Sequence, residues 1–148
     1  NEKNLLGPLV KPGKYKVQIL VDNKYKLEDE ILILKDPNSE NTENDFAKTE
    51  GLQLKLLDKI REANSIASEL QRSILSKKLR KNKSVMLKEK LNMLITKEGA
   101  YMQPMLIDQL KYLYNMITKA DQILGDDAYN RFDTLSLELE KIKKSLKI

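Results

Sequence analysis

Cysteine, histidine and tryptophan are all absent from this chain. Their absence removes thiolate nucleophiles, disulfides, imidazole bases and the usual zinc ligands together. A cysteine-free chain suits an oxidising or a reducing compartment equally, so the compartment stays open. Aromatic residues make up only 5% of the sequence, which leaves aliphatic side chains to fill any core. No apolar run approaches the length of a membrane-spanning helix; the longest, such as Ile31 to Leu34, are strand-sized. There is no glycine-rich phosphate loop, and no serine sits in a nucleophile-elbow setting. Neither an initiator methionine nor a signal-peptide pattern stands at Asn1. We therefore expect a mature product or, preferably, a piece cut from a longer protein.

The residues that are present point to helices with one wet face. Hydrophobic residues at 41% suffice for a modest core, while 33% charged residues demand a large solvated surface. The net charge of +5 is mild. Acids and bases alternate along most of the chain, whereas a dedicated nucleic-acid binder concentrates one sign on one face.

Residues 1–35 read as β. Gly7-Pro8 and Pro12-Gly13 are turn signals. Tyr15, Val17, Ile19 and Val21 alternate with Lys14, Lys16 and Gln18, which predicts a half-buried strand. Asp22-Asn23 suits a tight turn, and Tyr25, Leu27, Ile31 and Ile33 continue a returning strand. From Ile31 to Leu34 both faces are apolar, so that end is expected to be covered on both sides. A lone hairpin is barely stable in water. The missing strands are expected upstream of Asn1, or else the hairpin lies on the helices.

Residues 36–45 form a polar linker containing Pro37. Read as a calcium loop from Asp36, it lacks the required glycine and glutamate, having Asn41 and Ala47 instead. A solvated linker with a helix cap at Thr42 or Asn44 fits better. From about 45 onward the period is helical. Leu52, Leu56, Ile60, Ala63, Ala67, Leu70 and Ile74 predict one helix over roughly 43–79, with Gly51 a weak point. Leu87, Leu91, Leu94 and Ile95, preceded by Val85 or Met86, mark a shorter helix ending near Gly99. Pro104 suits the first turn of a third helix carrying Leu106, Leu110, Leu113, Ile117, Ala120 and Leu124. Gly125 breaks it, and Asp126 or Asp127 caps a fourth with Ala128, Phe132, Leu135, Leu139, Ile142 and Leu146. The expected fold is mainly α: an antiparallel bundle of three to four helices over 46–148, preceded by the hairpin and linker.

Candidate chemistry is sparse. Asp126-Asp127 are adjacent on a helix and diverge, so they make a poor acid–base pair. Glu138 and Glu140 beside Lys141, Lys143 and Lys144 read as an exposed mixed-charge face. Tyr101, Tyr112, Tyr114 and Tyr129 suit either a stacking surface or the edge of the core with hydroxyls in water. The densest charge of one sign spans Lys77 to Lys90. Lys77, Lys78, Arg80, Lys81 and Lys83 are the candidate contacts for a polyanion, nucleic acid or anionic lipid. No aromatic is interleaved there for base stacking, and a helix C-terminus also attracts cations by itself. No catalytic, cofactor or metal residue emerges.

Two stretches resemble a known family. The first is GPLVKPGKYKVQILVDNKYKLEDEILILKDP, residues 7–37. It resembles a segment of large secreted, Bacteroidetes-type, sortilin-like or BNR-repeat glycosyl hydrolase-like β-propeller proteins. There the segment closes an immunoglobulin-like β region after the propellers. Asn23 stands where that pattern has glycine. The second stretch, residues 104–146, is similar to the terminal helices of the same proteins through Lys111-Tyr112-Leu113-Tyr114, Ala120-Asp121 and Tyr129. The resemblance implies a C-terminal accessory module, secreted, periplasmic or on the cell surface. Its partner would be its own parent chain or another protein, and a homo-oligomer is an open option. The propeller, to which a hydrolase label would attach, is not in this sequence. Two alternatives stand beside that reading: a basic helical module binding a polyanion, and a fragment of a glycoside hydrolase-like enzyme.

Overall fold

In the computed structural model, residues 7–22, 25–76, 80–97, 99, 102–119 and 122–146 are described. Two strands, β1 (Gly13–Val21) and β2 (Tyr25–Ile33), precede four helices. These are α1 (Glu43–Leu75), α2 (Lys81–Leu94), α3 (Leu106–Lys119) and α4 (Asp126–Leu146). The mainly helical bundle with a leading hairpin is therefore the fold that the periodicity predicts.

Helix α1 starts where its chemistry requires. The Thr42 hydroxyl accepts from the Asp45 backbone N–H at 3.2 Å, and the Asp45 carboxylate accepts from the Thr42 N–H at 3.0 Å. This reciprocal box satisfies two of the backbone donors that a helix start leaves open. The paired hydroxyl and N–H of Thr42 hold the Asp45 carboxyl below its ordinary range. Helix α1 runs unbroken through Gly51 to Leu75, and the Ser76 N–H returns to the Arg72 carbonyl.

Helix α1 is the spine of the bundle, with α2, α3 and α4 all packed on it. Its stripe from Leu52 through Leu56, Ile60, Ala63 and Ala67 to Leu70 is buried. Opposite it lie Leu106, Leu110, Leu113 and Ile117 of α3, and Leu135, Leu139 and Ile142 of α4. Tyr114 is fully enclosed among them, and burial pushes its phenol up. The Gln53 amide donates to the Ile117 carbonyl at 3.3 Å, joining the first part of α1 to the last turn of α3. Helices α1 and α3 thus run in opposite directions. Helix α4 runs alongside α1 in the same direction, because Lys59 meets Glu140 and Glu62 meets Lys143.

Several boundaries differ from expectation. Helix α2 begins at Lys81 and ends at Leu94, so Gly99 lies well past its end. Helix α3 begins two residues after Pro104, whose carbonyl accepts from the Gln109 side chain at 2.8 Å. It stops at Lys119; Leu124 lies outside it and packs on the core from the connecting segment. Gly125 precedes α4, and Asp126 and Asp127 occupy its first turn rather than the cap. Ala120, Asp121, Tyr101 and Lys77 to Leu79 lie outside the described residues.

The largest departure concerns the hairpin. Its strands pair antiparallel from Gly13↔Ile33 to Val21↔Tyr25. Asp22 takes the left-handed conformation at φ 52°, as a tight turn demands. Yet Ile19 is 54% exposed and Leu32 61% exposed, and Ile31 and Leu34 are exposed as well. Among the described residues, none supplies the expected cover on both faces. The two strands pack on each other, while the other substantial packing joins helix to helix.

Candidate interaction surface

Strand alternation and the ladder register sort the hairpin residues onto two faces. Gly13, Tyr15, Val17 and Ile19 share one face with their cross-strand partners Ile33, Ile31, Asp29 and Leu27, and Val21 continues that face. Lys14, Lys16, Gln18 and Leu20 share the other with Lys26, Glu28, Glu30 and Leu32.

The second face carries a cluster of paired polar side chains, with Leu20 and Leu32 exposed beside it. Glu28 is its hub: it accepts from Lys16 at 3.2 Å and Gln18 at 2.7 Å, and it pairs with Lys26. Lys26 and Lys16 hold the Glu28 carboxyl below its ordinary range. The apolar face has no such closure. Val17, Ile19, Val21, Leu27 and Ile31 all stand in solvent. Asp29 lies at the midpoint of the ladder, opposite Val17. Its carboxylate accepts from the Glu30 N–H at 2.8 Å, and no described cation pairs with it.

The base of the hairpin is tied to the bundle. The Leu9 N–H donates to the Gln53 side-chain oxygen at 2.8 Å, the same buried glutamine that reaches Ile117. The Tyr15 hydroxyl donates to the Lys11 carbonyl at 2.6 Å. The lead-in segment is thereby anchored to α1, while the strands beyond it project.

A second uncovered apolar surface lies between α3 and α4. It is a groove of about 690 Å³ lined by Pro104, Tyr112, Leu113, Met116 and Ala128, with Asp108, Gln109, Asp127 and Arg131 along its edges. Tyr112 is 68% exposed here, whereas its neighbour Tyr114 is in the core. Of the described tyrosines weighed for stacking, Tyr112 lines this groove and Tyr129 lines a smaller recess with Ile123 and Leu124. Asp108 accepts from the Thr96 hydroxyl. Arg131 donates to the Gln109 side-chain oxygen. Nothing in the sequence announced this groove, because it forms where two separate helices diverge.

The basic candidates divide. Lys77 and Lys78 lie outside the described residues. Arg80 sits at the N-cap position of α2, and Lys81 and Lys83 lie in its first turn, all exposed. That turn contains no acid and has no side-chain cap. These cations stand at the positive end of a helix dipole, where the dipole opposes them. The C-terminal dipole of α1 therefore does not account for Arg80, Lys81 and Lys83.

Among the described residues no cluster of three acidic side chains is placed to hold a metal ion. The Asp36 carboxylate instead accepts from the Asn38 N–H at 2.9 Å, closing a local turn. None of the described helices is long and apolar enough to cross a membrane. No protein-family model, curated protein or solved structure matches this chain.

Proposed function

We propose that this chain is a non-catalytic structural and interaction module whose hairpin is the docking element. The observation that carries this reading is the solvent-exposed apolar face of Val17, Ile19, Val21, Leu27 and Ile31 on a two-stranded ribbon. Two strands alone are marginally stable, and a contiguous exposed apolar patch marks a surface that packs on something. The bundle supplies a rigid platform from which Gln53 holds the hairpin's lead-in segment. The partner is the rest of a parent polypeptide or another protein chain.

The resemblance of residues 7–37 and 104–146 supports a parent of the secreted or cell-envelope β-propeller kind. In that setting the hairpin completes an immunoglobulin-like β region, and any hydrolase activity belongs to the propeller. A photo-crosslinking residue at Ile19 or Leu27, introduced in the native setting, tests the reading. Adducts should form from those positions and not from Lys55 on the exposed side of α1. Absence of hairpin adducts, or equal yields from all three positions, would overturn it.

One observation favours a second reading, polyanion binding: the uncompensated cations Arg80, Lys81 and Lys83 at the start of α2. It predicts salt-sensitive binding of an oligonucleotide or of anionic vesicles, lost when these residues and Lys77 and Lys78 become alanine. No binding at low salt would end it.

A further inference from the structure

The excess positive charge of the chain is confined to one segment. Residues 80–97 hold six cations, Arg80, Lys81, Lys83, Lys88, Lys90 and Lys97, against one acid, Glu89. That difference equals the net charge of the whole chain, +5, so the other residues carry basic and acidic side chains in equal number. Lys90 is half-buried and the other five cations are exposed. Among the described residues no acid pairs with any of the six. Three of them crowd the start of α2, where the helix dipole opposes them. A segment that gathers one sign of charge at a cost to its own helix is shaped to attract a polyanion.

Apolar side chains stand among these charges. Val85, Met86 and Met93 of α2 are exposed, while Leu87 and Leu94 of the same helix are buried. Helical spacing sorts the outer side. Lys81, Val85 and Lys88 form one row, and Lys83, Met86, Lys90 and Met93 form another. The three apolar residues lie toward the middle of the side away from Leu87 and Leu94, with lysines along both flanks. Long lysine stems let the ammonium groups reach polar headgroups while apolar neighbours enter the acyl boundary. We propose that the outer side of α2 docks on an anionic lipid surface. Val85, Met86 and Met93 enter the interface, and the flanking lysines meet the headgroup phosphates. This rests on the polyanion reading above and names its partner.

A nucleic acid fits the same charge but not the same side chains. Residues 80–97 contain no aromatic to stack on bases. Apolar groups set among phosphate contacts gain nothing from a hydrated backbone, whereas at a bilayer the same groups are buried. Glu89 is the one side chain of the segment that opposes docking. It lies at the centre of the outer side, four residues from both Val85 and Met93.

The test is flotation of the full chain with two kinds of vesicle, pure phosphatidylcholine and phosphatidylcholine mixed with an equal part of phosphatidylserine. Circular dichroism checks that each variant is folded. The wild type should bind the anionic vesicles alone, and added salt should weaken that binding. Arg80→Gln, Lys81→Gln and Lys83→Gln together should weaken it roughly a hundredfold, about fivefold for each cation near the surface. Glu89→Gln should strengthen it by about the same fivefold step. Val85→Ser, Met86→Ser and Met93→Ser together keep every charge, yet should weaken vesicle binding roughly tenfold or more. Equal binding to both kinds of vesicle, or anionic binding untouched by the three serines, would overturn the proposal. Binding of a DNA duplex without binding of anionic vesicles overturns the lipid surface and leaves the polyanion reading standing. No binding of either at low salt removes both.

Discussion

The Lys59 ammonium lies 3.0 Å from the Glu140 carboxylate, joining α1 to α4 across most of the sequence. Lys59 also contacts Glu62 at 2.9 Å, and Lys143 contacts both Glu140 and Glu62. The four side chains form one closed square of alternating charge. Such a network fixes the helices' alignment more firmly than isolated surface pairs do.

The square makes a pH prediction. Lys143 and Lys59 hold the Glu62 carboxyl below its ordinary value of 4.5, and Lys59 and Lys143 do the same to Glu140. Glu62 and Glu140 hold the Lys59 and Lys143 ammonium groups above their ordinary value of 10.5. The carboxylates therefore contribute stability above pH 4.5 that is lost as pH falls through their lowered folded values. The lysines contribute below pH 10.5, and that share is lost as pH rises through their raised folded values. The thermal midpoint of the wild type should fall more steeply in acid than that of a Glu62→Gln, Glu140→Gln variant. Parallel acid limbs would contradict the role assigned to the square.

Gln53 offers a sharper local test. It is fully buried and serves two backbone groups, accepting from the Leu9 N–H and donating to the Ile117 carbonyl. Gln53→Ala leaves both without their partner, and each such orphan costs about 1–3 kcal/mol where water cannot replace it. Amide exchange should show Leu9 losing protection while the amides at the centre of α3 keep theirs. Unchanged Leu9 exchange would mean that this anchor does not hold in solution.

Gly51 lies inside α1 with open space where a Cβ would stand. Its backbone is helical, so Gly51→Ala removes unfolded-state freedom without strain. Urea denaturation should show a gain of about 0.5–1 kcal/mol. A loss would place an unseen contact over that face of α1.

The core and the hairpin should respond in opposite ways. Leu139 is fully buried between α1 and α4, and Leu139→Ala should cost about 2–5 kcal/mol by leaving a cavity. Ile19→Ser removes a side chain exposed in the single chain, so the dilute monomer should change by no more than about 0.5 kcal/mol. Equal losses from the two would show that the bundle itself covers Ile19.

The helical stripes were legible because three- and four-residue steps survive without tertiary knowledge. Leu52, Leu56, Ile60 and Leu70 are buried as their spacing demands. Helix ends were less legible. Leu124 continues the apolar spacing of α3 but packs on the core from outside any helix. Periodicity records burial, and a connecting segment can bury a leucine too. Gln53 was missed because a polar residue beside Leu52 reads as surface. Its value depends on Ile117, far along the chain. Glu140 and Lys143 look like an exposed face in sequence for the same reason, since Lys59 and Glu62 are remote along the chain. The hairpin's amphipathic alternation was readable. That no part of the described chain covers its apolar side was not, because alternation says which face wants burial and not what supplies it.

The central claim is that the apolar hairpin face is covered when the protein is at work. Hydroxyl-radical footprinting of Val17, Ile19, Leu27 and Ile31 tests it most directly, comparing the dilute purified chain with the protein in its native setting. The account predicts strong labelling of all four in the dilute chain and protection in the native setting, with exposed Leu54 on α1 labelled equally in both. Equal labelling of the hairpin face under the two conditions would contradict it.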